Sequence, residues 1–107
     1  MRILFDQGTP VPLRRAFAPH QVETAFEQGW SELANGALVE AAEANGFDVL
    51  VTTDKNVRHQ QNLAGLRIAI AILWTTSWPA LAPHASAIAA AVVALQPAEV
   101  RMLDRPG

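Results

Sequence analysis

Two short, uninterrupted apolar runs constrain the fold of this chain more than any other feature of its sequence. Residues 49–51 and residues 68–73 contain only aliphatic side chains. A strand that is apolar at every position must be covered on both of its faces, as strands of a parallel sheet are. We therefore expect a buried sheet with helices on both sides.

Helical patterns alternate with the expected strands along the chain, and this alternation is typical of parallel sheets joined by crossover helices. The expected strands are residues 2–5, 21–25, 48–53, 68–73 and 99–103, and the expected helices are 14–18, 35–46 and 78–95, with a short helix or loop at 56–64. The fold class predicted is α/β, as a three-layer α/β/α arrangement with a mostly parallel sheet of four to five strands. Residues 1–107 form a single domain in this interpretation.

Composition narrows the possible functions. Apolar residues make up 50% of the 107 residues and charged residues 17%, which excludes a disordered chain. The absence of cysteine excludes disulfides, zinc–thiolate sites, iron–sulfur clusters and a thiol nucleophile. A net charge of −2 gives no global field that would attract a polynucleotide. If the protein binds a polynucleotide, local basic groups must hold it. Arg14 and Arg15 of the first predicted helix are candidates for this contact, or they are ordinary surface residues.

The chain is expected to be cytoplasmic and without membrane contact. Its first acidic residue, Asp6, comes too early for a signal peptide. The most apolar stretch, residues 85–95, is well short of the roughly 20 residues that a membrane-spanning helix needs.

Asp6 and Asp54 are the candidate catalytic and metal-ligating pair. Each follows the carboxyl end of a predicted strand. If the two strands are neighbours they run about 4.8 Å apart, so that both carboxylates face one crevice. Carboxylates that close favour a cation between them, and Mg²⁺ binds through one or two protein carboxylates, several waters and substrate phosphate. The alternative is that each aspartate caps the turn or helix that follows it.

Two amides are further catalytic candidates. Asn35 and Asn56 carry oxygens that could complete the shell of a hard cation or hold its waters. Asn35 could equally cap the second predicted helix, and an Asx turn would explain Asn56.

Basic and aromatic side chains are the candidates for binding substrate. Lys55, Arg58 and His59 form a cluster just after the second aspartate, which would hold a phosphodiester or belong to an ordinary solvated loop. Tryptophan usually belongs to a core or an interface, and Trp30, beside Gly29 in a predicted loop, is the best candidate for another role such as stacking on a base.

Several spaced motifs, taken together, resemble the small stand-alone PIN-like domains of prokaryotes. They occur in order between the start of the chain and about residue 73: D-Q-G-T-P at 6–10, G-W at 29–30, N-G at 35–36, T-T-D-K-N at 52–56 and Q-Q-N-L at 60–63. The resemblance implies a PIN-like fold and a ribonuclease dependent on Mg²⁺ or Mn²⁺, with single-stranded RNA as substrate. Many such proteins are toxins that an antitoxin protein neutralises, so an antitoxin is an expected partner, and a homodimer is the other protein assembly considered.

The resemblance also assigns roles to individual residues. Asp6 matches the first metal-binding acid of these domains, and Asp54 matches the acid after the T-x-D strand. Asn35, Asn56 and Gln7 stand where relatives carry acids. Each amide removes one negative charge, so a metal held here is bound more weakly than in an acid-rich relative.

Two other interpretations stay open. The first is a PIN-like module that binds a protein partner, itself or RNA without cleaving it. The second is a receiver-like phosphoacceptor, because Asp6, Asp54 and Thr75 follow successive predicted strands. That chemistry needs a second acid after Asp6 and a lysine late in the chain, whereas Gln7 and a single lysine at position 55 are what the sequence holds.

Overall fold

A computed structural model of the chain describes residues 1–59 and 63–106, with the main chain alone at Asn35. Five strands form one sheet in which every neighbouring pair is parallel. They are β1 (Arg2–Phe5), β2 (Gln21–Thr24), β3 (Val49–Thr52), β4 (Ala69–Ile72) and β5 (Val100–Met102). The expected α/β class and sheet are confirmed, with five strands and a wholly parallel arrangement.

The strand order β2-β1-β3-β4-β5 determines where a ligand site would lie. From β1 the chain first adds β2 on one side and then returns to add β3 on the other, so the order reverses between β1 and β3. Open α/β sheets bind ligands beyond the carboxyl ends of the strands at such a reversal. Phe5 pairs with Val51 in register, which places Asp6 beside Thr52 at this edge.

Helical segments cover both faces of the sheet because side chains alternate between the faces along each strand. On one face, α1 (Asn35–Ala44) and the 3-10 helix Lys55–His59 pack against Leu4 and its neighbours. The opposite face carries the 3-10 helix Val11–Phe17 together with α2 (Trp78–Leu81) and α3 (Ala85–Val93). All side chains of β3 and β4 are buried, as their apolar sequences predict.

Three helical expectations were inexact. The helix expected over 78–95 is divided into α2, the 3-10 helix Ala82–His84 and α3. Pro83 lies at the division, and proline lacks the N–H that a continuous helix requires. The first helical segment, expected over 14–18, is the 3-10 helix Val11–Phe17 and begins three residues earlier. The second begins at Asn35 with Ala34 as its N-cap, so Asn35 is not the capping residue.

The helices are short. The longest, α1, has 10 residues. Within residues 1–59 and 63–106, no helix has the length and apolar character needed to cross a bilayer.

Candidate functional site

Asp6 lies at the carboxyl edge of β1, and both oxygens of its half-buried carboxylate contact hydroxyl groups. The Thr9 Oγ1 lies 2.7 Å from Oδ1, and the Thr52 hydroxyl donates to Oδ2. The Asp6 main-chain N–H donates to the carbonyl of Val51 at 3.1 Å, which continues the ladder with β3. The carboxylate is therefore oriented by contacts from its own turn and from the neighbouring strand.

The two threonines are themselves buried, with 3% of Thr9 and 1% of Thr52 exposed. Thr9 returns to Asp6 because residues 6–9 form a turn in which the Thr9 N–H donates to the Asp6 carbonyl at 3.2 Å. Its Oγ1 also lies 2.9 Å from the Val51 carbonyl. Since a hydroxyl carries one proton, Thr9 divides its donation between Asp6 and Val51.

Asp54 lies two residues beyond the end of β3, and its carboxylate contacts its own chain. Oδ1 accepts the main-chain N–H of Asn56 at 2.8 Å, and the Asp54 carbonyl accepts the N–H of Val57 at 3.3 Å. These bonds form an Asx turn that opens the 3-10 helix Lys55–His59. The capping alternative thus describes one contact of the Asp54 side chain.

Thr52 connects the two aspartates. Its Oγ1 accepts the main-chain N–H of Asp54 at 3.1 Å while its hydroxyl proton goes to the Asp6 carboxylate. The Thr52 hydroxyl therefore bridges the Asp6 carboxylate and the Asp54 main chain, so both lie at the same edge of the sheet.

Two cavities adjoin Asp6. The larger, here called the Phe26 cavity, has a volume of about 430 Å³ and lies between the 3-10 helix Val11–Phe17 and the end of β2. The smaller, the Trp30 cavity, has a volume of about 190 Å³ and lies towards α1. Asp54 is not among the residues that line either of them.

The basic cluster extends away from Asp6. Lys55 is exposed directly after Asp54. Arg58 Nη1 lies 2.8 Å from the Met102 Sδ of β5, and Arg58 Nε lies 3.3 Å from the His59 Nε2. Because β5 is three strands away from β1, these two side chains lie towards the far edge of the sheet.

The amides and the tryptophan are placed as follows. Asn35 is the first residue of α1, and Asn56 is exposed on the loop after Asp54. Trp30 is half-buried and packs edge-on against Phe47, with ring centroids 6.1 Å apart. The Q-Q-N part of the motif at 60–63 lies outside the described residues.

The side chains at this edge offer a metal ion few protein ligands. Within the described ranges, no group of three or more His, Cys, Asp or Glu side chains could hold one. The oxygens present are the carboxylates of Asp6 and Asp54 and the hydroxyls beside Asp6. This set suits Mg²⁺ or Mn²⁺, which keep most of their waters and need only one or two protein carboxylates. It does not suit an ion that requires a full protein cage.

Sequence reasoning missed the threonines around Asp6 and the wall of the Phe26 cavity. That wall contains a T-x-x-E pattern at residues 24–27, the signature of a capping box, which could have been found in the sequence. Here the Thr24 N–H donates to Glu27 Oε1 at 2.9 Å, and the Glu27 N–H donates to Thr24 Oγ1 at 3.1 Å. The Thr24 N–H and the Arg14 guanidinium hold the pKa of Glu27 below its usual range.

Comparison with known proteins leaves the residues and their geometry as the basis for any function. No family model, no curated protein and no solved structure matches the chain.

Proposed function

We propose that this protein is a ribonuclease of the PIN-like type that hydrolyses phosphodiesters of single-stranded RNA with Mg²⁺ or Mn²⁺. The observation that carries the proposal is the Thr52 hydroxyl, which bonds to the Asp6 carboxylate and to the main chain of Asp54 where the strand order reverses. The Phe26 cavity adjoins Asp6 at the same carboxyl edge of the sheet, and substrates of doubly wound sheets bind at this edge.

In this proposal Asp6 and Asp54 hold the metal ion. A bound ion would supply an activated water as nucleophile and would neutralise charge that develops on the phosphate. Thr9 and Thr52 fix the direction of the Asp6 carboxylate, since each hydroxyl contacts one of its oxygens. The amides of Asn35 and Asn56 act as neutral ligands or as hydrogen-bond partners of bound water.

The basic residues bind successive phosphates of the RNA backbone. Lys55 follows Asp54 directly and contacts the phosphate nearest the carboxylates. Arg58 and His59, which lie towards β5, contact phosphates further along the strand. Such contacts position a nucleic acid without reading its sequence.

Cleavage of single-stranded RNA in Mn²⁺ tests the proposal. Asp54→Asn keeps an oxygen that can accept the Asn56 N–H and removes the negative charge, so we expect a folded protein that cleaves about 100-fold more slowly. Asp6→Asn should behave alike. Asp48→Asn is the matched control, because Asp48 precedes β3 at the opposite edge of the sheet and its carboxylate accepts the Arg2 N–H. Equal cleavage by wild type and Asp54→Asn would mark a contaminating nuclease and end the proposal.

A PIN-like module that binds an antitoxin-like protein or RNA without cleavage is the second candidate. The small number of carboxylates at the site favours it, since no acidic group of three exists within the described ranges. Calorimetric titration with Mn²⁺ separates the two candidates. Binding that requires both Asp6 and Asp54 supports the nuclease, and the absence of binding supports the module.

The strand order also bears on the phosphoacceptor alternative. Receiver domains share the order 2-1-3-4-5 with this sheet. However, the chain has no lysine after Lys55 and no second acid beside Asp6. Labelling of Asp54 by a small phosphodonor, as an adduct sensitive to hydroxylamine, would be needed to support this alternative.

A further inference from the structure

We propose that the Phe26 cavity binds one unpaired base of the RNA strand, stacked on the ring of Phe26. The identity of the ligand rests on the proposed function, because Asp6 lines the same cavity. The residues that line this cavity are Asp6, Gln7, Thr9, Val11, Arg14, Thr24, Phe26 and Glu27. Phe26 thereby becomes a substrate-positioning residue beside the candidate catalytic carboxylate.

Phe26 is the most exposed large hydrophobic side chain within the described ranges, with 76% of its surface accessible. Its exposure follows from a hydrogen-bonded turn. Phe26 lies between Thr24 and Glu27, which are joined by reciprocal hydrogen bonds, and the Gly29 N–H donates to the Phe26 carbonyl at 3.0 Å. The turn presents an aromatic ring to solvent at a fixed place, which is what a stacking platform for single-stranded nucleic acid requires.

The opposite wall of the cavity provides hydrogen-bonding groups. Arg14, from the 3-10 helix Val11–Phe17, forms an ion pair with Glu27 in which Nη2 lies 2.8 Å from Oε1. Within the described part of the chain, the Arg14 Nε is buried without a hydrogen-bond partner. A buried donor without a partner costs free energy, so the guanidinium gains a bond if it turns towards an acceptor on the edge of a base.

The balance of the lining favours a base over a phosphate or a protein surface. Two carboxylates and one guanidinium give the wall a net negative charge, which repels phosphate but not a neutral ring. Among the described residues of the lining, Phe26 and Val11 are the two apolar ones, too few for the contiguous apolar patch of a protein interface. Proteins that bind single-stranded RNA hold an unstacked base in this way, with its ring stacked on an aromatic side chain and its edges hydrogen-bonded to polar groups.

Equilibrium binding of a fluorescent single-stranded RNA hexamer, measured by anisotropy in EDTA, tests the proposal without cleavage. A second hexamer with the same phosphates but no bases is measured beside it. We expect Phe26→Ala to weaken binding of the first hexamer about 10-fold and to leave binding of the second unchanged. Phe26→Trp should retain the wild-type affinity, since indole also stacks. Val100→Ala, at an exposed apolar residue of β5, is the matched control and should bind both hexamers as wild type does.

Three results would overturn the base site. In the first, wild type and Phe26→Ala bind the first hexamer equally well. In the second, Phe26→Ala weakens binding of both hexamers to the same extent. In the third, wild type shows no measurable binding of the first hexamer. If Phe26→Ala leaves RNA binding intact but abolishes a complex with a partner protein, the ring belongs to a protein interface instead. The two proposals fail separately: base-dependent binding without Mn²⁺-dependent cleavage refutes the nuclease alone, and cleavage with unchanged binding by Phe26→Ala refutes the base site alone.

Discussion

Asp6 and Asp54 hold similar positions in the sequence, each after a buried strand, but their surroundings differ. The Asp6 carboxylate contacts Thr52, 46 residues away, as well as Thr9 in its own turn. Asp54 Oδ1 accepts a bond from the main chain only two residues further on. The first arrangement exists only when β1 and β3 are paired, whereas the second would form in any Asx turn.

The contrast follows from where each aspartate lies relative to the end of its strand. Asp6 directly follows Phe5, the last residue of β1, so it remains in the ladder and faces the neighbouring strand. Asp54 is separated from the end of β3 by Thr53, so the chain has already begun to turn. The one-residue difference places the Asp6 carboxylate in contact with the neighbouring strand and lets Asp54 open the turn that follows β3.

Removal of the hydroxyl that connects the two aspartates should have the largest effect. Thr52→Val keeps the shape of a buried side chain but leaves Asp6 Oδ2 and the Asp54 N–H without this partner. We expect a loss of about 2 kcal/mol in the free energy of unfolding, measured by urea denaturation. Thr76→Val, at an exposed threonine, is the control and should change stability by less than about 0.5 kcal/mol. Equal effects of the two substitutions would contradict a link through Thr52.

Crowding beside Asp6 provides a second test. A Cβ at Gly8 would lie 2.5 Å from Thr53 Oγ1 and 3.8 Å from Asp6 Oδ1. We expect Gly8→Ala to cost about 1 kcal/mol of stability and to cost almost nothing in a Thr53→Ala background, where the close atom is gone. A penalty that persists in the double variant would show that the two loops do not approach as described.

The local cap of Asp54 can be separated from its charge. Asp54→Ala removes the acceptor of the Asn56 N–H and should lower stability by about 1 kcal/mol, as the loss of other capping residues does. Asp54→Asn keeps an acceptor oxygen and should be nearly as stable as wild type in the same thermal melts. If the asparagine variant is as unstable as the alanine variant, the charge rather than the cap stabilises this turn.

The smallest expected effect is on the pH dependence of stability, through Glu27 in the wall of the Phe26 cavity. The folded protein lowers the pKa of Glu27 below its usual 4.5, chiefly through the Thr24 N–H and then through Arg14. The resulting stabilisation is present above about pH 4.5 and is lost as the pH falls through the lowered value. The difference in melting temperature between wild type and Glu27→Gln should therefore be widest at neutral pH and narrow in acid. A difference that does not change with pH would contradict the hydrogen bonds assigned to Glu27.

Much of the fold could be predicted because the relevant signals are local. The apolar run at residues 49–51 indicates a buried strand, and the break before Gln21 indicates where another strand begins. Both strands form where expected, β3 buried throughout and β2 partly exposed. The division of the last helix at Pro83 was equally visible in the sequence but was outweighed by the apolar stripe around it.

The site was less predictable because it depends on register and on side-chain direction. The proximity of Asp6 to the end of β3 was expected, but its partner there, Thr52, is fixed by a pairing that no single-strand pattern reveals. Trp30 was the candidate for stacking among the tryptophans, yet it is half-buried and packs against Phe47, while Phe26 is exposed. Phe26 is exposed because it lies in a turn whose direction is fixed by the capping box between Thr24 and Glu27.

The proposed nuclease requires Asp6 and Asp54 to share one divalent cation. A crystal structure of the protein grown in Mn²⁺, with anomalous data, would show whether they do. We expect a manganese peak with both carboxylates as ligands and water in the remaining positions. A manganese ion bound elsewhere, or both carboxylates still bonded only to protein groups at saturating Mn²⁺, would rule the shared site out.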